Sequence, residues 1–171
     1  MMESVAIQFG DALLEYTANG DIRKPKGNKH ADIAPHGLFK TRDDEWIAIA
    51  TETDQAFRKL CKILNLEELS SDDRFNSSAN RKANESELNQ LLQSGFSSEF
   101  HSSELNKLQA AGVHAAINSD FLEIYRNPNP QFTSRKFMQE IDHAEAGSHL
   151  LPTMPWQLSS TRKTRHKPCL L

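Results

Sequence analysis

The chain has seven histidines, the side chains best suited to holding a metal or moving a proton near neutral pH. His30 and His36 bracket one loop-like stretch, and His143 and His149 bracket another. Neither pair has the i, i+4 spacing that sets two ligands on one helix face, and neither has a cysteine nearby. Solvent-facing or capping imidazoles are therefore expected, and no metal site. Cys61 falls on the apolar stripe of a helical segment with nothing local to lower its pKa, the setting of a buried, inert thiol. Cys169, near the end, is expected to be exposed. Asp43, Asp44 and Glu45 read as a solvated hairpin tip, and Trp46 is expected to pack against a helix. The one concentrated charge patch is the run Arg162-Lys163-Thr164-Arg165-His166-Lys167. Arg162, Lys163 and Arg165 are candidate phosphate-binding groups, because guanidinium and ammonium pair well with phosphate. A solvated tail is the simpler reading. The chain contains no dinucleotide glycine fingerprint, phosphate loop, nucleophile-elbow serine or HExxH. Residue types and spacing thus show no catalytic set, and the chain reads as an accessory domain.

The elements that must position these groups come from a thin supply of core-formers. Of 171 residues, 37% are hydrophobic and 25% charged, with a formal net charge of −3. That balance argues against a globally basic nucleic-acid binder. The two cysteines are too few for a disulfide scaffold or a four-cysteine zinc site. No apolar run approaches the roughly 18 residues of a membrane span, and the acidic N-terminus lacks the basic region of a secretory signal. A cytoplasmic protein is expected, with neither nucleic acid nor membrane as partner.

Val5, Phe9, Ala12, Leu13 and Tyr16 predict a helix over 4–16, stopping at Asn19-Gly20. Residues 20–35 read as an extended connector. Residues 37–41 and 45–50 predict a hairpin turning at Arg42-Asp43-Asp44, and Trp46-Ile47-Ala48-Ile49-Ala50, apolar on both faces, predicts a covered strand. Thr53 is the expected N-cap of a helix carrying Phe57, Leu60, Cys61 and Leu64 on one stripe. Further helices are expected around Leu88, Leu91 and Leu92 and around Leu105 and Leu108, the latter ending at Gly112. Short strands are expected at 113–117 and 136–142, with a short helix at 120–126 between them. Beyond Gly147 the sequence reads mostly as tail. The fold class expected is α+β: a small, mostly antiparallel sheet packed with helices in two layers and preceded by a linker helix.

Several segments taken together resemble a known family. Residues 18–61, ANGDIRKPKGNKHADIAPHGLFKTRDDEWIAIATETDQAFRKLC, are similar to the small-domain entry of class III coenzyme A transferases, the CaiB/BaiF or formyl-CoA transferase group. DDRFNSSANRKAN (72–84), LQAAGVHAAINS (108–119), NPNPQFTSRKFMQEIDHAEAG (127–147) and LPTMPWQLSSTRKTRHKPCLL (151–171) resemble later family segments in the same order. The resemblance implies an acyl-CoA:carboxylate CoA transferase whose large Rossmann-like domain carries a catalytic aspartate upstream of everything present here, so no catalytic residue is transferred. In racemase relatives a His/Asp pair of that large domain moves the α-proton instead. The resemblance further implies CoA and acyl-CoA as substrates of the full enzyme, a missing N-terminal half as partner, an intertwined homodimer, and a chain cut at both ends.

By that resemblance, residues 1–35 would be linker helix and connector, 36–147 the small domain, and 148–171 a return segment packing on the absent half. The small domain would close the active site and select the acceptor acid, inactive alone. Ala34, Pro35, His36 and Gly37 match the lid loop of formyl-CoA transferases without its glycine run, and are the candidate substrate-binding residues. Arg162, Lys163 and Arg165 become candidates for the CoA phosphates. His114 stands where the family has proline, and Asn118 where it has valine. The alternatives are a stand-alone binding or dimerisation module, motivated by the apolar face of the first helix, or the small domain of an acyl-CoA racemase relative.

Overall fold

The computed structural model describes residues 2–126, 128–154, 156 and 158–160. It divides into two compact units, 1–118 and 119–171. The first begins with α1 (Met2–Ala6), a 3₁₀ turn at Ile7–Phe9 and α2 (Gly10–Asn19). Gly20, at φ 76°, closes α2 in the left-handed conformation that glycine adopts without steric cost. Arg23 folds back to the helix, pairing with Asp11 at 2.6 Å and Glu15 at 2.5 Å.

The hairpin forms as its alternation requires. Strands β1 (His36–Lys40) and β2 (Trp46–Ala50) pair antiparallel, and β3 (His114–Ile117) pairs antiparallel with β2 on the other side. Successive strand side chains point to opposite faces. Phe39, Ile47 and Ile49 are therefore buried on the inner face, with Ala115 and Ile117 packed beside them. Helices cover that face. They are α3 (Asp54–Ile63), α4 (Glu67–Ser71), α5 (Ser78–Ala83), α6 (Glu85–Glu99) and α7 (Leu105–Ala110). Thr53 caps α3 as expected, its side chain accepting from the Ala56 N–H at 3.1 Å. Gly112, at φ 78°, turns the end of α7 into β3.

The core is more aromatic than the periodicity implied. Phe75, Phe96 and Phe100 are fully buried or nearly so. The Phe39 and Phe96 rings stack at 5.2 Å, and Phe100 meets Phe96 edge-on at 5.5 Å. Trp46 departs from expectation, being 44% exposed, and Leu38 is 37% exposed. Both have outer-face parity, so β2 is covered on one side rather than two among the described residues. Lys40 lies 5.9 Å from the Trp46 ring centroid in place of the expected helix.

The stretch 27–35 has one large apolar side chain, Ile33, to hold it down, and α5 braces it. Ser78, Arg81 and Lys82 share one face of α5 at i, i+3 and i+4. Ser78 Oγ donates to the Asp32 carbonyl at 3.4 Å, Arg81 Nε to Ala34 at 2.8 Å, and Lys82 Nζ to His30 at 2.5 Å. Arg81 is completely buried. Its guanidinium also donates to the Phe75 carbonyl at 3.2 Å and lies 4.6 Å above the Phe57 ring. Nη2 approaches Asp54 Oδ1 to 2.8 Å off the hydrogen-bonding axis, an ion pair rather than a directed bond.

Asp43 was expected at a solvated tip, yet it is a structural hub. Its carboxylate accepts from Thr41 Oγ1 at 2.8 Å, from the Ser102 N–H at 2.9 Å and from Ser102 Oγ at 2.5 Å. Burial alone would raise its pKa, but these hydrogen bonds outweigh burial and hold the carboxyl well below its usual value.

The second unit comprises α8 (Phe121–Arg126), α9 (Pro130–Ser134) and the hairpin β4 (Met138–His143) and β5 (Gly147–Pro152). Strand β5 lies where the sequence reads mostly as tail. Asn129 caps α9, accepting from the Gln131 N–H at 2.9 Å, with Pro130 in the first turn. His143 Nδ1 accepts from the Glu145 and Ala146 N–H groups at 3.3 and 3.2 Å and shapes the β4–β5 turn.

Arg81→Met, which keeps side-chain bulk but orphans the Ala34 carbonyl, will destabilise the chain by about 2–4 kcal/mol in urea unfolding. A change under about 0.5 kcal/mol, the size typical of plain surface substitutions, would refute the holding role. Asp43→Asn will cost roughly 1–2 kcal/mol at neutral pH. A carboxyl whose folded pKa is depressed stabilises fully above its unfolded value, near 3.8 here, and loses that stabilisation as the pH falls through the folded one. The gap between wild type and Asp43→Asn should therefore narrow in acid, and a gap independent of pH would contradict the assignment.

Candidate functional site

The outer face of the three-stranded sheet carries the groups with available chemistry. Register places His36, Ala50 and His114 in one row across the strands, and Leu38, Ala48 and Ala116 in the next. Alanines thus form the floor on β2, and larger side chains rise on both flanks. A cavity of about 990 Å³ lies against this face. One wall is the loop Gly27-Asn28-Lys29-His30, and another is Gly112 to Ala116 with Gln109.

The loop is braced from within as well as by α5. His36 Nδ1 meets the Asn28 carbonyl at 2.6 Å. His30 Nδ1 accepts from the Asp32 N–H at 3.1 Å and the Ile33 N–H at 3.2 Å. The two imidazole centroids are 5.4 Å apart with a 44° tilt. The expectation of capping histidines thus holds for His30, and both rings also line the cavity. Lys29 lies 3.8 Å from Glu85, whose carboxylate is nearer to Lys82 at 2.9 Å, so the Lys29 charge is only partly neutralised. His114 Nδ1 lies 3.5 Å from Glu52.

This arrangement sets three imidazoles and a lysine around an apolar floor, which suits an anionic ligand with an apolar portion. Among the described residues, no carboxylate, thiol or serine lines the cavity. Cys61 is buried, and burial pushes its thiol up to about 12, consistent with an inert core residue. No cluster of three potential metal ligands occurs among the described residues.

Of the four candidate substrate-binding residues, His36 and Gly37 line the cavity. Ala34 and Pro35 are buried beneath it, and their carbonyls are occupied by Arg81 Nε and by the Thr51 N–H at 3.1 Å. Arg162, Lys163 and Arg165 lie outside the described residues. Sequence reasoning missed Asn28, Lys29 and His114 as wall residues and Arg81 as the brace. The i, i+3, i+4 spacing of Ser78, Arg81 and Lys82 was the available signal, since it gives a short helix one polar face.

Comparison with known proteins bears on the family and the fold. The family model for CoA-transferase family III matches residues 1–170. The beta subunit of succinyl-CoA–L-malate CoA-transferase from Chloroflexus aurantiacus is 28% identical over 163 residues, covering 94% of this chain and 40% of that protein. The human succinyl-CoA:glutarate CoA-transferase is 26% identical over 142 residues, covering 83% of this chain and 32% of that protein. The structure of a CaiB/BaiF family protein from Brucella suis matches with a TM-score of 0.76 at 27% identity, over 89% of this chain and 38% of that one. Rv3272 of Mycobacterium tuberculosis, at 19% identity and a TM-score of 0.72, shares the fold. The α+β architecture read from the sequence is therefore that of the CaiB/BaiF neighbours, and the chain spans less than half the length of these relatives. On the match across nearly its whole length, this chain belongs to CoA-transferase family III.

Proposed function

We propose that this chain supplies the small-domain part of an acyl-CoA:carboxylate CoA-transferase. In this reading it covers the active site and helps to choose the acceptor acid. The covalent carboxylate chemistry belongs to a part of the protein outside this chain. The observation that carries the reading is the outer-face cavity, which has imidazoles, a lysine and an alanine floor but, among the described residues, no carboxylate, thiol or serine. Such a surface is suited to binding and orienting an acid. CoA thioesters are then the substrates of the whole enzyme, and the interlocked homodimer of the family is its expected assembly.

A second reading, a binding or dimerisation module, has its own support. Ile7, Phe9, Leu13, Leu14 and Tyr16 on the first helical segments are all more than half exposed. An apolar row of this kind ordinarily marks an interaction surface. Sedimentation of the 171-residue chain separates the readings: concentration-dependent association favours the module, and a monomer across the micromolar range counts against it.

Two kinetic outcomes test the leading proposal. The purified chain should transfer no CoA from acyl-CoA to a carboxylate acceptor, and robust transfer would overturn it. In the enzyme containing both this segment and the aspartate-bearing half, Ala48→Leu, which fills the outer-face floor, should raise KM for the acceptor about fivefold or more, while KM for the CoA donor stays nearly constant. An equal rise for both substrates would place the cavity elsewhere in the cycle.

A further inference from the structure

The His30 and His36 side chains line one cavity, yet the backbone fixes their ring protons in opposite ways. A carbonyl oxygen can only accept, so the contact of His36 Nδ1 with the Asn28 carbonyl at 2.6 Å requires the proton on Nδ1. The neutral His36 ring then leaves Nε2 as a bare lone pair. A backbone N–H can only donate, so His30 Nδ1, accepting from Asp32 and Ile33, carries no proton. The neutral His30 ring then bears its proton on Nε2. With centroids 5.4 Å apart, one imidazole offers a donor and its neighbour an acceptor to a single small ligand.

A carboxylate answers only half of this pattern. Its oxygens accept from His30 Nε2–H, but they repel the His36 lone pair. A hydroxyl on the adjacent carbon supplies the missing proton. We infer that His30 and His36 form a specificity pair for a 2-hydroxy carboxylic acid, with the carboxylate on His30 and the hydroxyl donating to His36. The inference rests on the proposal that this cavity receives the acceptor acid, and it goes further by naming the acid's class. A primary amide would satisfy the same two nitrogens, but it is not an acceptor in carboxylate transfer. Lys29, on the same wall, adds the positive charge that an anion requires.

The test uses the 171-residue chain at about pH 8, above the ordinary imidazole range. Long-range ¹H–¹⁵N imidazole spectra should show the proton on Nδ1 at His36 and on Nε2 at His30, and identical tautomers would overturn the inference. L-lactate and propionate, which differ only in the hydroxyl, are then titrated separately. Lactate should bind about tenfold more tightly, the worth of one hydrogen bond in a half-open site. His36→Asn keeps a donor toward the Asn28 carbonyl but lacks the distal nitrogen. It should erase the lactate advantage by weakening lactate, while propionate, relieved of the repelling lone pair, binds at least as tightly as before. His30→Asn keeps an acceptor for the Asp32 and Ile33 N–H groups and should weaken both acids alike. Equal binding of the two acids by the wild-type chain would defeat the hydroxy-acid assignment and leave the acceptor cavity standing. If neither acid perturbs His30 or His36, both the assignment and the acceptor cavity fall.

Discussion

A guanidinium with no exposure to water must find partners for its fork of N–H groups, or the fold loses several kcal/mol. Arg81 finds them on three different segments: the carbonyl before β1, the carbonyl of Phe75 ahead of α5, and Asp54 at the start of α3. The Phe57 ring closes the remaining side. These segments are far apart in sequence, so one side chain sets the distance between the sheet and two of its helices. It also makes the polar stretch 27–35 a fixed wall. Without that anchor, a loop so poor in apolar groups would have little reason to hold one conformation.

The anchored loop gives the outer face its chemistry. Helices cover the inner face, and its phenylalanines and isoleucines behave as an ordinary core. The outer face, of opposite parity on the same strands, stays open and is floored by alanine. His30 and His36 at its edge are then oriented by main-chain contacts rather than by other side chains. Backbone groups have only one role each, donor or acceptor, and so they dictate which ring nitrogen is left free.

Local rules made part of this legible in the sequence. The hairpin, the Thr53 cap, the stripe of α3 and the glycines ending α2 and α7 each depend on residues a few positions apart. Parity and stripe do not say which apolar face is covered, and so Trp46 reads as a residue packed against a helix. The roles of Arg81 and Asp43 were hidden for a related reason. Charged residues read as surface, and their partners lie 47 and 59 positions away. Strand β5 was missed because its side chains are mostly exposed, leaving no alternation to read. The cavity itself was half visible: His36 and Gly37 were singled out, while His114 and Lys29 join them only through sheet pairing and the α5 brace.

The alternation along β2 also separates two kinds of selection. Ile47 and Ile49 answer to the packing beneath the sheet, whereas Ala48 and Ala50 answer to whatever lies above it. A drift from alanine to serine or valine on the upper parity would reshape the trough by a few atoms without disturbing a single core contact. One five-residue strand can therefore preserve the scaffold while the surface above it changes shape.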